Sequence, residues 1–264
     1  MANYINKEIL AEAYTHLDIE LFEDKEQLEK LRSELTTFFK ERASFLFETD
    51  VDIIVEFEEG SLKTRIIAIG SAAAVIAGTV SAYPSFKEGV THIANDAAAI
   101  AQSANIEVIF RTRTPYCDRL RVEKRKGVFG RVQALLVDLE GIADDIDGAK
   151  LPTGRKSIEA IDAINDRLIE WDEKADVLFS RFEEKDTQAC VAQGLLEELD
   201  RFPADFHWQK ELADSSLKSQ IASSDMRMAL QIAGLSTRYK MIIEAVKKKL
   251  KMRVKQADSG RNGH

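Results

Sequence analysis

Apolar positions recur at helical steps through most of this chain, and two stretches break that rhythm. Ile9, Ala13, Leu17 and Leu21, then Leu28, Leu31, Leu35 and Phe38, predict helix over residues 6–42. Val51, Ile53, Val55 and Phe57 then alternate with Asp52, Ile54, Glu56 and Glu58, which predicts a strand with one buried face. Glu59-Gly60-Ser61 ends it, Gly60 suiting a turn and Ser61 a helix cap.

The second break is in composition. Between Arg65 and Lys87 lie 21 residues without a charge, Ile66 to Phe86. As one helix they would extend about 31 Å, close to the hydrocarbon thickness of a bilayer. Gly70, Ala74, Gly78 and Ala82 would then form a ridge of small residues suited to close helix contact. Tyr83 and Pro84 would sit at the interfacial end. The strongly apolar residues are few, and at roughly 0.3–0.6 kcal/mol each they favour insertion by only about 2–4 kcal/mol. A helix buried inside a bundle fits the same composition.

Gly89 to Phe110 predicts an amphipathic helix. His92, Asn95, Asp96 and Gln102 lie on its polar face, and Ile93, Ala97, Ile100, Ala101 and Ala104 on the other. In a membrane the polar face would line a water-filled path, with Asp96 favouring cations. On a globular protein it is a solvated face. Lys63 and Arg65 before the pair of segments, and Arg111 to Lys126 after it, fit a hairpin with both ends inside; a solvated loop is the plain reading of Arg119 to Lys126.

From Gly130 onward the pattern is helical. Val132, Leu135, Leu136, Leu139 and Ile142 form one stripe, and 151–154 a breaker. Ile158, Ile161, Ile164, Leu168, Trp171, Ala175, Leu178 and Phe182 step by three and four. A shorter helix covers Cys190 to Leu199, and a long one Ser224 to Lys255. The fold class expected is therefore mainly α, a helical bundle with a short N-terminal β element and one or two candidate transmembrane helices. The domains expected are 1–60, a hairpin over 61–112, and a cytoplasmic sensor and assembly domain over 113–264.

The net charge of −8 argues against whole-surface attraction to nucleic acid. The last helix is the exception: Lys247, Lys248, Lys251, Arg253 and Lys255 form a candidate ligand or oligonucleotide surface, or complement the helix dipole. The polar N-terminus carries no secretory signal pattern. Cys117 and Cys190 are read as free thiols in a reducing compartment, and the isolated His16, His92, His207 and His264 give no metal spacing. Phosphate-loop, dinucleotide, nucleophile-elbow and zinc-protease motifs are absent. Asp144-Asp145 and Glu183-Glu184 read as solvated clusters. No catalytic residue, cofactor or enzyme activity is expected.

An acidic strand enters Glu59-Gly60-Ser61-Leu62-Lys63, followed by the small-residue segment, Tyr83-Pro84-Ser85-Phe86, a polar helix and the basic Arg119-Leu120-Arg121 to Lys126-Gly127 stretch. Over about residues 50–130 this order resembles membrane effectors of bacterial anti-phage defence operons, most nearly the toxin component of the Hailong system. The resemblance implies a homo-oligomeric channel in the bacterial inner membrane, in contact with lipid and gated by a regulatory partner protein or a nucleotide ligand. The alternative is a soluble, cytoplasmic helical adaptor or an oligonucleotide-binding regulator.

Overall fold

The computed structural model describes residues 8–19, 24–58, 61–150, 155–208 and 226–261. In chain order the elements are β1 (Glu8–Leu17), α1 (Lys25–Phe47), β2 (Asp52–Glu58), β3 (Leu62–Gly70), α2 (Ala72–Thr79), α3 (Phe86–Arg111), β4 (Arg119–Arg125), α4 (Gly127–Gly148), α5 (Arg155–Phe179), α6 (Lys185–Arg201) and α7 (Met226–Arg261). They fall into two compact units, Met1–Gln133 with Phe182–Cys190, and Ala134–Arg181 with Val191–His264. The expectations for Leu21, Gly60, the 151–154 breaker, the start of the last helix at Ser224, and His264 lie outside the described residues.

The first unit is built on an antiparallel sheet in the order β2-β3-β1-β4. With α1 after β1 and α3 after β3, this is the split β-α-β arrangement also called ferredoxin-like. Helix α3 packs on β1 and β4, and α1 on β2 and α3. Helices α1, α2 and α3 each begin at a residue able to accept the orphan amides of the first turn: Asp24 accepts from the Gln27 amide, Ser71 from Ala74, and Ser85 from Glu88. Leu17 and Ala13 of β1, Ile66 and Leu62 of β3, and Leu35 and Phe39 of α1 are all buried. So are Ile93, Ala97, Ile100, Ala101 and Ala104, the apolar face read for α3.

Three sequence expectations are corrected. Residues 8–17 form a strand rather than a helix: a spacing of four between Ile9, Ala13 and Leu17 fits a period of 2 as well as one near 3.6, and a register shift between Ile9 and Ala11 sets Ile9 on the other face from Ala13 and Leu17. Arg119–Arg125 is a strand rather than a loop. The stretch Ile66 to Phe86 is not one helix: it finishes β3, turns through the eight residues of α2 and a 3-10 turn at Val80–Ala82, and enters α3. Gly70 ends a strand, Ala74 and Gly78 lie on α2 and Ala82 in the turn, so the four make no ridge, and a Cβ at Gly78 would meet open space.

Among the described residues no helix is long and apolar enough to cross a membrane. That removes the transmembrane hairpin, and with it the membrane, pore and ion-channel expectations for this fold. The misreading has a physical source. Ile66 and Ala68 are buried on one face of β3 while Ile67 and Ile69 are buried on the other. A central strand covered on both faces loses its alternation and reads as a continuous apolar run.

The second unit is helical. Its core takes Leu135, Leu139 and Ile142 from α4, Leu168, Trp171 and Leu178 from α5, Leu195 and Leu199 from α6, and Leu235, Tyr239 and Leu250 from α7. The buried Trp171 indole donates to the Leu135 carbonyl at 2.8 Å. The Phe206 ring packs between Trp208 and Tyr239, with centroids 5.4 and 4.9 Å away.

One buried polar link fixes α3 on the sheet. Thr15 Oγ1 donates to Asn105 Oδ1 at 2.6 Å, and Asn105 Nδ2 donates to the Glu123 carbonyl at 2.7 Å. Asn105 thus ties α3 to both β1 and β4, and it is only 3% exposed. Asn105→Ala leaves the buried Thr15 hydroxyl unpaired and is expected to cost about 1–3 kcal/mol in urea unfolding. An unchanged midpoint would show that the link contributes nothing.

Candidate functional site

The alternation of the strands sends most of their charged residues to the sheet face opposite α1 and α3; Lys124 lies on the helix side, where it donates to Gln102 Oε1 of α3 at 3.3 Å. The pairing register places those on the charged face in rows. Glu123, Tyr14, Arg65 and Glu56 form one row, and Arg121, His16, Lys63 and Glu58 the next. Arg125 and Glu12 continue into Ile67 and Ile54.

Glu12 is the centre of this lattice. It is 6% exposed and accepts from Arg65 Nε at 2.9 Å and from Arg125 Nη1 at 2.8 Å. Arg65 reaches on to Glu56 at 3.3 Å, and Arg125 to Glu123 at 2.7 Å, while Arg121 also pairs with Glu123. The bond to Glu12 holds the Arg65 guanidinium above its ordinary pKa, and the bond to Glu123 does the same for Arg125. Arg121 stands over the Tyr14 ring, 6.0 Å from its centroid, and His16 Nε2 is 2.6 Å from Ser61 Oγ. Across these three rows four cations thus face four carboxylates, so the rows are ordered and charge-balanced rather than a basin for anions.

Its edges are not balanced. Strand β4 closes one side of the sheet, carries Arg119, Arg121, Lys124 and Arg125 against Glu123, and exposes six of its seven residues. Beside it Ile106 and Phe110 of α3 are 58% and 74% exposed, and Leu120 and Val122 of β4 itself are 55% and 47% exposed. Strand β2 closes the other side with Asp52, Glu56 and Glu58 and no cation. The alternation of Arg119-Leu120-Arg121-Val122-Glu123 was the sequence signal for this edge, hidden by reading the charges as a loop.

The residues singled out earlier fall elsewhere. His92, Asn95 and Gln102 are exposed on α3, with Asp96 beside them, so they form the solvent face of a helix over a sheet. His92 Nδ1 lies 3.0 Å from Asp96 Oδ2, and partial burial raises the Asp96 carboxyl against the opposing pull of His92. On α7, Lys247 pairs with Asp200 at 2.8 Å and Arg253 with Asp176 at 2.8 Å, while Lys248, Lys251 and Lys255 are exposed. Lys249 bridges Asp172 and Asp176, Arg238 meets Asp162 and Asp166, and Lys240 meets Asp205. Much of the basic run is thus matched by acidic side chains of α5 and α6 and of the turn after α6.

A second cluster departs from its sequence reading. Glu184, just before α6, is 9% exposed rather than solvated. Its carboxylate accepts from Ser71 Oγ at 2.8 Å and Thr187 Oγ1 at 2.9 Å, and Thr187 Oγ1 in turn accepts from the Ala73 amide at 3.1 Å. Glu8, at 5% exposure, receives the Glu184 amide on Oε1 at 3.5 Å and has no partner for Oε2. Among the described residues no group of His, Cys, Asp and Glu side chains assembles that could hold a metal ion.

Comparison with known proteins gave no match, whether to a family model, a curated protein or a solved structure.

Burial, reinforced by the Glu184 carboxylate, pushes the Glu8 pKa up from 4.5 to about 7. The folded chain keeps this proton until about pH 7, whereas the unfolded chain releases it near pH 4.5, so stability falls as pH rises through that window. The full penalty, about 3 kcal/mol, is present above it. Glu8→Gln is therefore expected to stabilise the protein by up to about that amount at pH 8 and by less than about 1 kcal/mol at pH 5. Urea unfolding at the two pH values checks this, and an equal effect at both would refute it.

Proposed function

We propose that this chain is a non-catalytic docking protein whose N-terminal sheet receives an extended segment of a partner along β4. The observation that carries this is the edge itself: a terminal strand, exposed along six of its seven residues and cationic, with exposed apolar side chains beside it. An added strand gains backbone hydrogen bonds from such an edge, and alternate side chains set its selectivity. Arg121 and Arg125 point to the charged face of the sheet and favour carboxylates there. Val122, one residue out of phase, favours an apolar side chain on the helix side. The preferred partner segment is therefore one in which acidic and apolar residues alternate.

The oligonucleotide reading of α7 has less support, because Lys247, Lys249 and Arg253 already face aspartates. The sheet face offers one aromatic, Tyr14, amid balanced charge, which is a poor platform for stacked bases.

A fluorescently labelled peptide alternating glutamate and valine is expected to bind the full chain saturably. Arg121→Glu with Lys124→Glu is expected to weaken it at least about tenfold, and added salt to weaken it further. Absence of binding, or equal binding by the variant, in anisotropy titrations would sink the proposal.

A further inference from the structure

We infer that the segment β4 receives is strand β2 of a second copy of this chain, so that the protein assembles head to tail through its sheet. This rests on the docking edge proposed above and names its occupant. In the sheet order β2-β3-β1-β4 every neighbouring pair is antiparallel, so β2 and β4 themselves run in opposite directions. A second copy placed beside the first by translation therefore offers β2 to β4 in antiparallel sense, with the helices of both copies on the same side.

The side chains match in that arrangement. Arg121, Glu123 and Arg125 share the charged face with the β1 residues His16, Tyr14 and Glu12. Asp52, Ile54 and Glu56 share the same face of the sheet through Ile69, Ile67 and Arg65. Setting Arg121 opposite Glu56 places Val122 opposite Val55, Lys124 opposite Ile53 and Arg125 opposite Asp52. Both arginines meet carboxylates on one face, and the two valines meet on the other. Directly opposed side chains in antiparallel strands are close enough for such pairs to select a register.

Like edges fit less well. Two-fold pairing of β4 with itself sets Arg121 against Arg121 when centred there, and when centred on Val122 it offsets the Arg121–Glu123 pairs with Arg119 against Arg125. Pairing β2 with itself brings together strands that carry only negative charge. Charged edge residues commonly protect a sheet from pairing. Here they disfavour like edges and favour unlike ones. An interface between unlike edges is heterologous, so it closes into a ring or continues as a filament.

The test uses the full chain and multi-angle light scattering across a range of concentration and salt. The wild type is expected to gain mass with concentration and lose it with salt. Arg121→Glu with Lys124→Glu spoils the basic edge, and Glu56→Lys with Glu58→Lys spoils the acidic one. Each double variant alone is expected to be monomeric, whereas an equimolar mixture is expected to regain assembly, since the intact β2 of one variant meets the intact β4 of the other and the two reversed edges complement each other as well. Combining all four substitutions in one chain is expected to restore self-assembly. Circular dichroism and thermal unfolding establish that each variant is folded. If either charge-reversed variant fails to fold, Arg121→Gln with Lys124→Gln and Glu56→Gln with Glu58→Gln replace them, with at least about tenfold weaker assembly expected.

A wild type that stays monomeric up to about 1 mM, yet binds the Glu-Val peptide, would overturn copy-to-copy pairing and leave the docking edge standing. A wild type that does neither overturns both. Folded edge variants that assemble like the wild type would place the interface elsewhere and overturn the inference.

Discussion

Glu12 is a carboxylate almost removed from water, and the sheet sets an arginine against it from each neighbouring strand. Removing one partner from a buried, hydrogen-bonded ion costs far more than the same pair is worth at a surface. Arg65 from β3 and Arg125 from β4 reach it from either side, so three strands share one anion. The charges nearest it on that face follow from this choice. Arg65 extends to Glu56 and Arg125 to Glu123, so charge is balanced across the interior of the face and left unbalanced at its two margins. The opposite signs of β2 and β4 are thus the outer terms of a single lattice centred on β1.

The helical unit manages its charges differently. Arg238, Lys249 and Arg253 meet Asp162, Asp166, Asp172 and Asp176 in the same order along both helices, so α5 and α7 lie parallel with a ladder of ion pairs between them. Each exposed pair contributes little by itself. Their joint effect is on alignment, because shifting α7 along α5 by one turn would place the basic groups out of step with the aspartates. The burden of stability falls on the apolar seam beneath, where Leu168, Trp171, Leu235 and Tyr239 are buried.

Much of this was legible from residue order. The α3 face, the α4 and α5 stripes and strand β2 follow from the periods of their apolar residues, because each has one wet face and one dry face. The failures share a cause. At Ile66 to Ile69 both faces of a strand are dry, which erases the period. At Ile9, Ala13 and Leu17 a spacing of four satisfies two templates at once. The charged face was missed for a third reason: Glu12, Arg65 and Arg125 are distant in sequence, and only the pairing of β1 with both β3 and β4 brings them to one point. Glu184 was read as solvated because burial of a carboxylate depends on Ser71 and Thr187, which local composition does not reveal.

Gly127 opens α4 with φ near +56°, and a Cβ there would stand 2.2 Å from the Ile9 carbonyl oxygen and 2.5 Å from that of Leu10. No side chain fits that gap, and no neighbouring side chain can yield to make room, because the obstacles are backbone. The edge charges of β4 can be exchanged, inverted or lost by a diverging chain that has no use for docking. The glycine two places beyond that strand cannot. Among distant descendants, a lone glycine after a short alternating strand would therefore outlast the charges as the mark of this architecture, and a chain that keeps the glycine but has neutral edges would be expected to share the shape and to have abandoned the partnership.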